Sequence, residues 1–339
     1  MLSDVKQKSG LTKVADLAGV SLSTVDRVLN ERGSVSDVKR RKVIDAARKL
    51  GLRRLLPSPV HGLLRFDVLL VESDTDHYRR LAAAFSVQAQ LHRSRLVLQR
   101  QTWPADAPER LVEFINKPRT ARQGLMVVAQ DTPAIRAALQ DQIAQGIPVV
   151  LLTSSLSGIE GATYIGIDNL MAGRCAGRLM SQWAGRIDER ILLLTNSLLF
   201  HAHQQRVKGF LDVLGERAPA LVIDKIVECH DHDGQTYEAV IKALAADGSV
   251  GAIYNTGAGS EGIRRALRER NKRPVWISHE ASPQHAELLR EGLLSLVIDQ
   301  DPEGQAKAAI QHLLVSTGDL EMPTGLIPQL RIVIDESLP

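Results

Sequence analysis

The sequence predicts a small all-α head followed by a larger α/β body built on two doubly wound parallel sheets. Three observations carry that expectation. Charge is uneven: residues 1–56 hold 13 Lys and Arg against 6 Asp and Glu, a net of +7, and the remainder holds 29 against 33, a net of −4. Short stretches with helical apolar spacing, each with a capping residue, fill the basic segment. Beyond it, about nine or ten strand-like apolar runs alternate with amphipathic stretches of about 12–20 residues, the β-α repeat of parallel sheets.

The bulk composition narrows the class. With 44% apolar and 24% charged residues over 339 positions, the chain can bury sizeable cores and is not disordered. It has no run of about 18 uninterrupted apolar residues, so no membrane-spanning helix is expected. The start, Met1-Leu-Ser-Asp-Val-Lys-Gln-Lys, lacks the apolar stretch of a secretory signal. Two cysteines, Cys175 and Cys229, make no disulfide framework. A cytoplasmic protein is the expectation.

Three helical patterns occupy the head. In Thr12-Lys-Val-Ala-Asp-Leu-Ala-Gly, Thr12 is the expected cap, Val14, Leu17 and Ala18 the apolar face, and Gly19 the stop. Ser21 caps a second pattern whose inward residues are Val25, Val28 and Leu29, and Ser36 caps a third that ends at Gly51. Two short helices joined at Ala18-Gly19-Val20 make a helix-turn-helix, whose second helix is shaped for the DNA major groove. The charge asymmetry agrees, because phosphates attract a basic head.

In the body the strand-like runs begin near Phe66, Leu96, Gly124, Pro148, Tyr164, Arg190, Val222, Ala252, Val275 and Leu296. Ligands of open α/β sheets bind beyond the carboxyl ends of strands. Polar residues there are Ser73, Asp74 and Tyr78 after the first strand, and Gln130, Asp131, Thr153 and Ser154 after the third and fourth. The second half adds Arg206 on a helix, Asn255 and Glu280 at strand ends, and Gln300 at a crossover. Amides, carboxylates and a guanidinium around a cleft suit polyhydroxy ligands, whose hydroxyls both donate and accept.

The spacing Thr12…Val14-Ala15…Ala18-Gly19-Val20-Ser21…Thr24-Val25…Arg27-Val28-Leu29-Asn30…Val35-Ser36 resembles, nearly position by position, the DNA-binding head of the LacI family of bacterial transcription regulators. The body resembles the same family in Tyr164-Ile-Gly-Ile-Asp-Asn, Arg206-Val-Lys-Gly-Phe, Val275-Trp-Ile-Ser-His-Glu and Val297-Ile-Asp-Gln-Asp-Pro. The resemblance implies an effector half like periplasmic sugar-binding proteins of type I, two Rossmann-like lobes around a cleft. It also implies domain limits: a head at 1–56, a linker at 57–64 and a body at 65–339. Lobe 1 would take about 65–166 and 295–325, and lobe 2 about 167–294 and 326–339.

By the same resemblance Leu22 and Ser23 read base edges and Arg27 faces the groove. Thr12, Ser21, Thr24, Asn30 and Ser36 touch phosphates or hold the turn, and Arg53 and Arg54 reach backbone phosphates or a narrow groove. Asp26 replaces a small hydroxyl residue; a base contact and an outward, cap-like role are both open to it. The family's hinge helix would wedge a leucine, here Leu55 or Leu56, into the minor groove, but Pro57 and Pro59 fall inside it. Arg206, Glu280 and Gln300 carry the ligand most directly, with Glu280 one methylene longer than the usual Asp. Asn255-Thr-Gly replaces an Asn-Asp pair, so ligand identity does not carry over. The implied protein is a homodimeric repressor that binds a pseudo-palindromic operator under the control of a sugar or polyol, needs no cofactor and is not an enzyme.

Rival classes rest on three features. Gly257-Ala-Gly-Ser-Glu-Gly262, with Glu280 18 residues beyond it, has the spacing of an NAD-binding loop and would make the chain an oxidoreductase. Against this, the motif comes late and no catalytic constellation accompanies it. His201-Ala-His203 and Cys229-His-Asp-His-Asp233 hold metal-ligating residue types and would suit a metal-responsive regulator, although their spacing fits no compact site. Trp103, Trp183 and Trp276 could stack a sugar ring, with core packing the better account of Trp183 and Trp276. A free-standing periplasmic sugar-binding protein is disfavoured by the helix-turn-helix and the start of the chain.

Overall fold

The head folds because three short helices share one apolar centre. The structure, a computed structural model, describes residues 2–30, 32, 35–50, 63–186, 190–245, 250–320 and 325–338. Helices α1 (Leu2–Ala18), α2 (Leu22–Leu29) and α3 (Asp37–Lys49) enclose Val14, Ala15, Ala18, Val25, Val28, Leu29, Val43, Ile44, Ala46 and Ala47. The α1 helix starts well before Thr12, so Thr12 is an exposed mid-helix residue and not the expected cap. Its weakest helix former is Gly10, and no proline interrupts it. Leu17, expected inward, is 53% exposed, and Ala15 takes its place in the core. Gly19 at φ +65° closes the helix, with its own N–H bonded to the Asp16 carbonyl and that of Val20 to the Ala15 carbonyl. This paired closure needs a left-handed residue, which glycine adopts at least cost.

The body has two sheets. In the first, β1 (Leu64–Val71), β2 (Leu96–Trp103), β3 (Gly124–Val127), β4 (Val149–Leu152) and β5 (Ala162–Ile165) run parallel in the order β2-β1-β3-β4-β5. Helices α4 (Asp76–Leu91), α5 (Pro108–Asn116) and α6 (Pro133–Ala144) connect them. The second sheet contains β6 (Arg190–Thr195), β7 (Val222–Glu228), β8 (Val250–Asn255), β9 (Val275–His279), β10 (Leu296–Asp299) and β11 (Arg331–Val333), in the order β11-β10-β9-β8-β6-β7. Its helices are α7 (Asn169–Gln182), α8 (His201–Arg217), α9 (Asp233–Ala245), α10 (Ser260–Glu269) and α11 (Pro283–Arg290). Near-continuous apolar strands such as Leu64–Val71 and Ile191–Leu194 are buried on both faces, as parallel sheets require.

Two features of the crossover differ from the expectation. The β10 strand pairs with β9 in the second sheet, although the expected boundary at 295 assigned it to lobe 1. The return to lobe 1 comes later, at Gln300–Asp301, after which α12 (Pro302–Ser316) buries Ala306, Ala309, Ile310, Leu313 and Leu314 in the first lobe's core. The short antiparallel edge strand β11 follows a non-periodic stretch and has no sequence signal of its own.

Helices α7 and α8 approach through glycines. A Cβ on Gly173 would lie 2.1 Å from the Arg206 carbonyl oxygen, and one on Gly209 would lie 2.2 Å from that of Leu170. This contact sets the start of α7 and the middle of α8, hence Asn169 and Arg206. Gly209→Ala is expected to cost about 2–3 kcal/mol or more by overpacking. Gly215→Ala on the same helix, where an added Cβ meets nothing within 4 Å, is expected to be neutral or to stabilise by up to about 1 kcal/mol. Urea denaturation midpoints of the two variants check the pair; equal shifts would remove the close approach from the account.

Candidate functional site

Two surfaces concentrate the expected residues. On α2, Ser21 caps the helix by accepting the Thr24 N–H, and its hydroxyl also lies 2.9 Å from that of Ser23 and 2.8 Å from that of Thr24. At 3.6 residues per turn, positions 22, 26, 30, 23 and 27 fall on one arc of about 140°. Val25, Val28 and Leu29 point the other way, into the head's core. Leu22, Ser23 and Arg27 are exposed. Asp26 accepts a 2.6 Å hydrogen bond from Asn30 Nδ2 one turn on, an i to i+4 contact along the helix. Ser36 is exposed at the start of α3, where its carbonyl accepts the Arg40 N–H at 2.9 Å. Arg53, Arg54, Leu55, Leu56, Pro57 and Pro59 lie outside the described residues.

The second surface is a cavity of about 480 Å³ between the lobes, beyond the carboxyl ends of β1, β4, β6, β8 and β9. It lies at the switch points of both sheets, where β1 stands between β2 and β3 and β6 between β7 and β8. Arg206 is buried in its wall, with Nε on Asn169 Oδ1 (2.8 Å), Nη1 on the Thr256 carbonyl (2.7 Å) and Nη2 on Gln300 Oε1. Glu280 Oε2 contacts His77 Nδ1 at 3.0 Å and accepts from Gln300 Nε2 at 3.2 Å. The other face of His77 meets Thr153 Oγ1 at 3.1 Å. Arg80 gathers the acids of the opposite lobe, donating to Glu280 Oε1, to Asp299 Oδ1 (2.6 Å) and to the Ala281 carbonyl (2.8 Å), with Glu303 at 2.8 Å.

Further contacts fasten the lobes. Ser154 Oγ accepts the Ala202 N–H at the start of α8 (3.1 Å), and Ser155 Oγ lies 2.7 Å from His201 Nδ1. The Asp131 N–H donates to the Leu199 carbonyl at 2.8 Å. Phe200, from the second lobe's loop before α8, is buried in the first lobe's apolar core. The lobes are therefore drawn together on the cavity.

The model of the bacterial regulatory proteins of the lacI family matches residues 10–54, the three-helix head, and that of the periplasmic binding protein domain matches residues 82–315. The chain belongs to the lacI family of bacterial regulatory proteins. Its body is a periplasmic-binding-protein domain, so this lacI-family regulator joins a DNA-binding head to a ligand-binding fold. Among curated proteins, none matches the chain in sequence.

Solved structures share the body's fold. A glucose-galactose binding protein from Geobacillus stearothermophilus superposes with a TM-score of 0.73 at 19% identity, covering 82% of this chain and 100% of its own. The arabinose binding protein of the same organism gives 0.64 at 21%, covering 81% and 97%. A periplasmic solute binding protein from Actinobacillus succinogenes with bound D-allose gives 0.69 at 19%, covering 80% and 98%.

In the regulator's cavity the structure brings together Ser73, Asp74, Tyr78, Thr153, Ser154, Arg206, Glu280 and Gln300. Gln130, Asp131 and Asn255 do not line it. Gln130 donates to the Ala105 carbonyl, Asp131 pairs with Arg136 and accepts the Ser157 N–H, and Asn255 folds its own loop by bonding Ala258 and Gly257. None of the tryptophans lines it either: Trp103 and Trp276 are fully buried core residues and Trp183 packs half-buried on the second lobe's core. Sequence reasoning did not place His77, Arg80 or Asn169 at the site, and it named His203 only as a candidate metal ligand. His77 and Arg80 sit on the first turn and a half of α4, just past Ser73-Asp74, so the strand-end rule stopped a few residues short of them.

The rival motifs resolve into ordinary contacts. Among the described residues no group of three or more His, Cys, Asp or Glu is arranged to hold a metal. His203 Nδ1 lies 2.9 Å from Thr256 Oγ1; burial first, then Arg206 and His77, hold it well below the usual imidazole range, so it is neutral at neutral pH. In the Gly257–Gly262 loop, the position an NAD phosphate would take is filled: the Ala258 N–H donates to Asp231 Oδ1 at 2.7 Å.

Burial pushes the Asp299 carboxyl up, but Arg80 and the Ala281 amide outweigh it and hold it below the usual range; Glu303 is lowered by the same Arg80 against its own burial. A carboxylate depressed on folding contributes stability at neutral pH and loses it as pH falls through the folded value. Arg80→Ala is therefore expected to cost about 3 kcal/mol at pH 7, the low end for orphaning a buried charge because Arg80 itself is partly exposed. The gap between wild type and R80A should close below about pH 4. Thermal melts of both proteins from pH 7 to pH 3 check this; a gap independent of pH would remove the carboxylates from the clamp.

Proposed function

We propose that the chain is a homodimeric, cytoplasmic repressor whose affinity for a pseudo-palindromic operator is set by a sugar or polyol bound between the lobes, and that it is not an enzyme. The observation that carries the reading is the cavity wall itself. Side chains from both lobes, His77 and Thr153 on one side and Arg206 and Glu280 on the other, meet in one hydrogen-bonded chain around a space large enough for a monosaccharide. A ligand that bonds to both walls stabilises the closed arrangement over an open one, and only such a difference in affinity shifts the equilibrium. Ser73, Asp74, Tyr78, Thr153, Ser154, Arg206, Glu280 and Gln300 are the ligand's contacts in this reading. The sugars bound by the structurally similar binding proteins support the ligand class.

On DNA, α2 of each protomer enters a major groove with Leu22, Ser23 and Arg27 at the base edges. Thr12, Ser21, Thr24, Asn30 and Ser36 serve the phosphates or the turn, and Arg53 and Arg54 the adjoining backbone. Phosphate contacts make affinity fall steeply with salt.

The test is a melting-temperature screen of the full chain against monosaccharides and polyols, followed by operator binding with and without each hit. Arg206→Ala is expected to abolish the melting shift and the operator response while leaving basal DNA binding intact. A retained response would remove Arg206 from the ligand contacts. Arg27→Ala is expected to weaken operator binding about tenfold to hundredfold, the cost of one lost bidentate base contact, with ligand binding unchanged. Fluorescence anisotropy on operator and scrambled DNA measures it; equal losses on both would assign Arg27 to the phosphates.

A further inference from the structure

The loop with the dinucleotide spacing has kept the geometry of an anion cradle. After β8 the chain turns through Gly257 and Gly259 into the N-terminus of α10, where exposed N–H groups and the helix dipole favour a negative charge. Each glycine has a steric reason. A Cβ on Gly257 would lie 2.4 Å from Asp231 Oδ1, and one on Gly262 would lie 2.1 Å from the Asp233 carbonyl oxygen. Gly259, at φ +87°, would meet Thr236 Oγ1 at 2.3 Å.

What fills the cradle belongs to the chain. Asp231 Oδ1 accepts the Ala258 N–H, its Oδ2 accepts from Asn196, and Asp233 Oδ1 accepts the Gly262 N–H at 3.3 Å, inside the first turn of α10. His230 and Asp231 reach this position through left-handed backbone, φ +50° and +58°, which non-glycine residues adopt at a cost. Both Asp231 and Asp233 line the cavity, together with Asp74 and Glu72. Of the remaining charges there, Asp76 is paired with Arg79 and Glu280 with Arg80, which leaves Arg206 as the guanidinium facing four acids.

We infer that Asp231 is a specificity determinant of the cavity: by occupying the anion position of the Gly257–Gly262 loop with a carboxylate, it restricts the ligand to an unphosphorylated polyhydroxy compound. This rests on the sugar reading proposed above and narrows it. A phosphate brought to the loop finds the Ala258 and Gly262 N–H groups taken and meets like charge, an unfavourable pairing that discriminates against competitors without any added contact to the favoured ligand.

The test titrates the full chain calorimetrically with D-glucose, D-galactose, D-arabinose and D-allose and with the terminal phosphate ester of each. Any sugar that binds is expected to do so at least about 100-fold more tightly than its ester, and D231N is expected to narrow that ratio about tenfold or more. E72Q removes the same charge from the first lobe's side of the cavity, away from the loop amides, so its ratio should move less. An ester that binds wild type as well as its sugar, or a ratio unmoved by D231N, overturns the inference and leaves the sugar reading standing. Should D231N not fold, the wild-type ratio alone decides. Binding of neither sugars nor esters overturns the reading beneath it.

Discussion

The ligand-binding half is organised around a buried cation with no carboxylate bonded to it. Arg206 is 2% exposed, and its hydrogen bonds go to neutral oxygens of Asn169, Thr256 and Gln300. Burying a guanidinium is costly unless its donors are met and opposite charge stands near. The three acceptors come from the start of α7, the loop after β8 and the crossover after β10, so the side chain holds three separate segments to one point. That requirement explains the glycine contact between α7 and α8, since a wider spacing would pull Asn169 off Nε. It also explains why Gln300, on the crossover leading back to lobe 1, is buried and bonded on both sides of its amide.

From Arg206 the bonding runs on without a gap across the cleft. Gln300 joins it to Glu280, Glu280 to His77 and Arg80, and His77 to Thr153, whose hydroxyl donates to Gln305 on α12. Asn169 returns the chain to the Thr153 carbonyl. A network in which each member is both held and holding is stiff, and partial loss leaves buried polar atoms unmet. The Arg80 clamp acts on the same two lobes from outside the cavity and Phe200 from its wall, so the lobes are held together by charge and apolar burial as well as by this network.

Much of this was legible in the sequence, and the limits have physical causes. Buried parallel strands read as apolar runs, and short apolar stretches marked even the half-exposed β2 and the edge strand β7, so all ten parallel strands among the described residues were visible; β11 was not, because a three-residue edge strand is too short to carry a period. The helix-turn-helix was readable from its caps and turn, yet α1 was foreshortened, since a cap-like Thr12 inside a continuous helix looks the same in sequence as a true start. The strand-end rule located eight of the eleven expected cavity residues. It misassigned Asn255, whose amide is used up shaping its own loop, and it could not reach Arg80, which meets Glu280 and Asp299 from a helix of the other lobe. Pairings separated by 200 residues, as between Arg80 and Glu280, have no local signature.

The backbone around the cavity adds a constraint that side-chain patterns do not contain. Among the described residues six non-glycine residues have positive φ, and four of them, Thr153, His230, Asp231 and Glu280, line the cavity. For Thr153 this is the more unusual because a β-branched residue fits the left-handed region poorly. At three of the four the turn aims a polar group at a partner: Thr153 its hydroxyl to His77, Glu280 its carboxylate to Arg80 and His77, Asp231 its carboxylate into the glycine loop. Such conformations persist where surrounding contacts over-determine them. Such contacts cross from one lobe to the other at the Thr153 carbonyl, which accepts from Asn169 Nδ2, and at the Glu280 carboxylate, while the Thr153 hydroxyl stays within its own lobe. In the function proposed above, a ligand bonded to both walls would hold those cross-lobe bonds in place and favour this arrangement.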